Sequence, residues 1–112
     1  MQSEIKDGVL VITIAGNLLG EHSNAPVMEL ITQNLEAGNK KVVFNLGEMK
    51  FINSTGLGML MSALTKTRNA GGELCLCSLP DQMKKLLQMT KLESIFPVYA
   101  DEPTAISTLN SK

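Results

Sequence analysis

Three short apolar runs recur along the chain, and each is followed by a stretch with helical spacing. The runs are residues 9–15, 41–46 and 73–77. A strand must pair, and a helix must lay its apolar stripe on a neighbour. Alternating strands and helices satisfy both demands by pairing in parallel, with the helices as crossovers. The pattern therefore predicts an α/β fold with mainly parallel pairing. The middle run, Lys41-Val42-Val43-Phe44-Asn45-Leu46, suits a central strand covered on both faces.

The remaining elements follow in order. Asp7-Gly8 precedes the first run, so Ile5 and its neighbours suit an antiparallel strand turned back there. Residues 16–23 read as a loop holding Leu18 and Leu19. A first helix is expected to begin at Ser23 or Asn24, with Pro26 in its first turn. Val27, Leu30, Ile31 and Leu35 form its apolar face, and Ala37-Gly38-Asn39 ends it. A second helix runs from the joint at Asn53 to about Arg68, with Leu57, Leu60, Met61 and Leu64 as the inward stripe. Pro80-Asp81 opens a third, with Met83, Leu86 and Leu87 on one side and a solvated Lys84 and Lys85 on the other. Pro97 makes residues 96–99 a short edge strand. Asp101-Glu102-Pro103 starts a last helix carrying Ala105, Ile106 and Leu109. The expected order is ββαβαβαβα, a mixed sheet of four to five strands flanked by about four helices. Without repeats, low-complexity tracts or linkers, residues 1–112 read as one domain.

Composition narrows the function classes. Ten basic residues against 11 acidic ones give a net charge of -1, which makes no electrostatic case for binding nucleic acid or an anionic membrane. No apolar run reaches the ~18 residues of a membrane-spanning helix, and the N-terminus lacks the layout of a signal peptide. A cytoplasmic protein is expected, with no membrane insertion. Cys75 and Cys77 lie two apart on an expected strand, so both should face one way as buried thiols. His22 is the one histidine, too few ligands for a metal site, and it reads as a surface or capping residue. No cofactor is expected.

The chemistry concentrates at Phe51-Ile52-Asn53-Ser54-Thr55-Gly56-Leu57-Gly58-Met59-Leu60, where a strand-like pattern gives way to the second helix. The plainest role for Ser54 is an N-cap. Asn53 could supply that cap itself, which makes the Ser54 and Thr55 hydroxyls surplus. Gly56 and Gly58 each cost about 1 kcal/mol relative to alanine in a helix, and they leave the helix start open to a partner. A helix N-terminus also favours an oxyanion or phosphate. The dinucleotide pattern fails because Met61 stands where its third glycine belongs, and there is no Gly-Lys-Ser/Thr for a Walker loop. Ser54 is not in a Gly-x-Ser-x-Gly elbow, and only His22 could act as an imidazole base. A serine-nucleophile hydrolase is the weakest of the readings.

The segment Asn53-Ser54-Thr55-Gly56-Leu57-Gly58, preceded by Val42-Val43-Phe44-Asn45-Leu46 and followed by Ala70-Gly71-Gly72-Glu73-Leu74, resembles the STAS domain of bacterial anti-sigma factor antagonists. The resemblance spans nearly the whole chain and includes Gly16 after the second strand. It implies a mixed sheet flanked by helices, and a binding protein rather than an enzyme. It also implies partner switching. The unmodified antagonist binds an anti-sigma factor serine kinase, which frees a sigma factor. The kinase phosphorylates the antagonist with ATP, and a PP2C-type phosphatase reverses this. By position the phosphorylated serine is Ser54. The family commonly has an aspartate just before this serine, where this chain has Asn53, and another after the second strand, where this chain has Leu19. Both flanking acids are replaced by uncharged residues.

A partner surface is expected around Ser54, made of Asn53, Thr55, Gly56, Gly58 and Ser62, with Leu18 and Leu19 from the preceding loop. Two readings of Met59 stand side by side: an apolar contact next to Ser54, or partial burial in the core. Leu18 and Leu19 equally suit leucines folded over a core edge. The alternative within the same fold is a STAS subunit that regulates a membrane transporter of the lipid-transport ABC type.

Overall fold

The computed structural model describes residues 2–18 and 21–111. Strands β1 (Gln2–Lys6) and β2 (Val9–Thr13) form an antiparallel hairpin. Its turn places Asp7 at φ 52° and Gly8 at φ 78°. Positive φ at both central residues is the turn whose twist matches that of paired strands, and Asp-Gly is its favoured sequence. Next come β3 (Gly16–Leu18), α1 (Glu21–Glu36), β4 (Lys41–Asn45), β5 (Met49–Ile52) and α2 (Ser54–Asn69). The chain continues with β6 (Glu73–Cys77), α3 (Asp81–Met89), β7 (Val98–Tyr99) and α4 (Glu102–Asn110).

The main sheet has the order β1-β2-β4-β6-β7, with every pair parallel except the β1–β2 hairpin. β4 is central, as its unbroken apolar run predicts. Its register joins Leu10, Val42 and Leu74 in one row, and Ile12, Phe44 and Leu76 in the next but one. These rows face one side and form a core with Val27 and Ile31 of α1, Leu57, Leu60 and Leu64 of α2, and Met83 and Leu87 of α3. The alternate rows, Val9, Val11, Val43, Cys75 and Cys77, face the other side, where α4 covers them with Ala105, Ile106 and Leu109. The period of two along each strand thus sorts one sheet into two cores. Cys75 and Cys77 are free, buried and on the α4 side, and desolvation pushes the Cys77 thiol up to about 11. Such a thiol stays protonated and inert at neutral pH.

Two strands are added to the expected order, for one physical reason. The segment read as a loop after residue 15 contains β3, and the approach to the central joint contains β5. They pair in parallel as a separate two-stranded sheet, with a register shift between Gly16 and Asn17. Both strands are too short for periodicity to reveal them. α1 starts at Glu21, ahead of the expected Ser23 or Asn24, and Pro26 lies inside it. The side chains of residues 21–24, and so the expected cap and His22, lie outside the described residues.

Gly72 is fixed by a close approach rather than by a turn. A Cβ there would collide with the Lys40 carbonyl oxygen. That oxygen accepts from Glu73 N at 2.9 Å, where β6 joins β4.

The N-terminus of α4 is tied to the far edge of the sheet. Asp101 caps the helix by accepting from Thr104 N at 2.8 Å. Lys6 Nζ donates to Glu102 Oε2 at 2.6 Å, and Asn45 Nδ2 donates to Glu102 Oε1 at 3.1 Å. The Lys6 ammonium, with help from Asn45, lowers the Glu102 carboxyl below its ordinary 4.5. The bond to Glu102, then that to Glu4, raises Lys6 to about 12. Glu102 contributes stability that is present above the unfolded carboxylate pKa and is lost as pH falls through its lower folded value. The contribution of Lys6 is complete below 10.5 and fades as pH rises through about 12. Glu102→Gln should therefore lower stability at neutral pH and flatten its fall in acid, as read by urea unfolding across pH. Wild-type and variant curves that stay parallel into acid would contradict this.

Candidate functional site

The joint at the start of α2 is built by β5. The strand ends at Ile52, and the next residue, Asn53, has extended dihedrals (φ -111°, ψ -178°). That conformation suits an N-cap. Asn53 Oδ1 accepts from Gly56 N at 2.9 Å, and Asn53 O accepts from Leu57 N at 2.9 Å. The cap position is thus filled by Asn53. Ser54 becomes the first residue of α2, and it is exposed. Its hydroxyl is not the group that closes the helix end. The first turn, Ser54-Thr55-Gly56-Leu57, carries no acid to offset the positive end of the helix.

The rest of the expected surface divides. Thr55, Gly58 and Ser62 are exposed, and helical spacing places them on one strip of α2 with Ser54. Asn53 is half-buried and Gly56 is buried, the latter engaged through its N–H in the cap. Met59 is 4% exposed and packs into the main core, so it offers no apolar contact beside Ser54. Met61, placed in the inward stripe by its spacing, is 36% exposed. Of the two readings of Met59, burial in the core holds, and Met61 is corrected to the surface, because the buried arc is centred on Leu60, Ala63, Leu64 and Thr67. Met59 falls within that arc and Met61 beyond its edge. Thr67 is fully buried, with its hydroxyl donated to Ala63 O at 2.8 Å. Such a back-bond lets a threonine line the core. Leu18 lies in β3 with its backbone paired to Ile52, which brings that strand to the joint. Its side chain and all of Leu19 lie outside the described residues.

Phe51, in β5 just ahead of the cap, was not singled out by sequence reasoning. It is 55% exposed. The available signal was an aromatic residue at the edge of a polar joint in a chain with few aromatics. Without the β3–β5 pairing, its outward side could not be read. Among the described residues, no group of three His, Cys, Asp or Glu side chains could hold a metal ion.

A family model described as the STAS domain matches residues 1–105. The chain belongs to the STAS domain family. An anti-sigma F factor antagonist of Paenibacillus polymyxa is similar to it, with 27% identity over 109 residues covering 97% of this chain and 93% of the relative. A Bordetella bronchiseptica protein, BtrV, named as a candidate anti-sigma factor antagonist, is 30% identical over 92 residues, covering 82% of this chain and 78% of its own. The Bacillus cell-fate determinant SpoIIAA, solved in its phosphorylated form, superposes with a TM-score of 0.75 at 22% identity, covering 96% of both chains. That likeness shows the STAS fold: a mixed sheet with four helices.

Gly58 stands out within this STAS domain. A Cβ built on it meets no atom of the described residues within 4 Å outside its own turn of helix. Neither packing nor dihedral strain in the described chain requires glycine there. Gly58→Ala should raise stability by about 0.5–1 kcal/mol, since alanine loses less entropy in a helix. Asn53→Ala, two positions before Thr55, should lower it by about 1 kcal/mol through loss of the cap. Urea unfolding of both variants checks the pair of signs, and a destabilised Gly58→Ala would contradict the open space at that position.

Proposed function

We propose that this protein is an anti-sigma factor antagonist that works by partner switching, with Ser54 as the regulated residue. The carrying observation is the division of labour at the joint: Asn53 caps α2, which leaves Ser54 exposed and spare. Unmodified, the Ser54 strip binds an anti-sigma factor serine kinase in the cytoplasm. The kinase transfers the γ-phosphoryl group of ATP to the Ser54 oxygen and releases ADP. A PP2C-type phosphatase returns the serine by hydrolysis. The chain itself performs no catalysis.

The chemistry of the position supports this reading. A phosphoserine brings about -1.5 to -2 charges. At the first residue of α2 the positive end of the helix dipole accommodates that charge, so the fold has no reason to change. At a packed interface the same charge is costly to desolvate and repels acidic groups. Binding is thereby lost without unfolding. Asn53, uncharged where the family's aspartate is common, keeps its capping bond and adds no repulsion to a neighbouring phosphate. Gly58 fits a partner backbone lying close against the strip, which explains a glycine that the fold does not need.

Affinity capture from native cells tests the proposal. Ser54→Ala should retain a kinase-type partner, and Ser54→Asp should lose it. Equal capture by both variants would contradict control through Ser54. Gly58→Ala should weaken the same capture although it strengthens the fold.

A further inference from the structure

The joint has a second side. Between β5 and α3 lies a cleft of about 160 Å³, with Phe51, Ile52, Pro80, Met83 and Leu86 on its walls. A cavity of about 150 Å³ accepts a benzene-sized group. Ile52 abuts the Asn53 cap, so the cleft adjoins the Ser54 joint along the chain. Phe51 is 55% exposed there, an aromatic surface left to water in the described chain. Lys50 is the one charged residue on the cleft wall among the described residues. On α3, Lys84 and Lys85 are exposed as well. Asp81 is also exposed, but it is not part of the wall and stands in the first turn of α3, where an acid complements the helix end.

We infer that this cleft is a second anchor for the partner that covers Ser54: it receives one large apolar side chain of that partner, with an adjacent acidic residue paired to Lys50. The inference rests on the partner reading above. An apolar side chain seated in a small pocket supplies a large share of interface energy. The cleft has the volume for one such group, and Lys50, the one charge on its wall among the described residues, favours an acidic neighbour. Ser54 would then switch an interface whose affinity is set partly by Phe51 and Lys50.

The probe is the kinase-type partner retained by Ser54→Ala, purified and titrated by calorimetry against the full chain. Phe51→Ala, Lys50→Glu, Ser54→Asp and Ile5→Ala are compared with wild type. Ile5, in β1, is 51% exposed and serves as a control for loss of surface apolar area. Urea unfolding confirms that each variant is folded. Phe51→Ala should weaken binding about tenfold or more, and Ile5→Ala should leave it unchanged. Lys50→Glu should weaken it too, with an effect that shrinks at high salt. Wild-type affinity in Phe51→Ala and Lys50→Glu, with Ser54→Asp still inactive, overturns the cleft and leaves the Ser54 reading standing. Unchanged affinity in every variant, Ser54→Asp included, overturns both.

Discussion

Strand β4 is covered on both faces and paired on both edges, and the elements around the site take their positions from it. Val42 and Phe44 pack toward α1, α2 and α3, while Val43 packs toward α4. No side of this strand can accept a charge cheaply. Its parallel partners β2 and β6 demand crossover helices, and β5 and α2 belong to the crossover from β4 to β6. The joint between β5 and α2 therefore lies outside the main sheet, anchored to the core by Ile52 and Leu57 while Ser54 and Thr55 stay exposed. Phe44, Leu60 and Leu76, all with essentially no exposure, hold the base of α2 against the sheet. Burying a side chain of that size contributes about 1.5–3 kcal/mol. The helix start is thus a fixed platform that the core does not need to occupy.

One short hydrogen bond decides what that platform presents. Because Asn53 Oδ1 takes the Gly56 N–H, the serine that follows is released from structural duty. Had Ser54 been the cap, its hydroxyl oxygen would have been committed to a backbone N–H of the first turn. With the cap one residue earlier, the proposed phosphate on Ser54 leaves the capping bond of Asn53 in place. This separation of a structural residue from an exposed hydroxyl is what a reversible switch requires. Gly58 belongs to the same logic, since it gives up helix stability at a place where the described chain needs no extra room.

The large elements were legible because their signals are long or chemically specific. The buried run of β4, the Asp7-Gly8 turn and the helix start at Asp101-Glu102-Pro103 each carry a local cause that tertiary structure had no reason to override. The joint at Asn53 and the exposure of Ser54, Thr55 and Ser62 were legible for the same reason. What escaped is what depends on packing between elements. β3 and β5 are stabilised by each other, and neither has enough residues to show a period. The choice between the two readings of Met59, and the exposure of Met61, depend on how α2 is rotated against the sheet and α1, and methionine's tolerance of either environment gives no local hint. Phe51 followed from the same gap, because a strand that is not recognised has no outward face.

The proposed switch depends most on where a phosphate goes. The direct measurement is mass-spectrometric mapping of the chain after incubation with its cognate kinase and ATP. The expected result is a single phosphate on Ser54, with Thr55 and Ser62 unmodified although they share the same exposed strip. Phosphate on either of those residues, or elsewhere, with Ser54 untouched would contradict it.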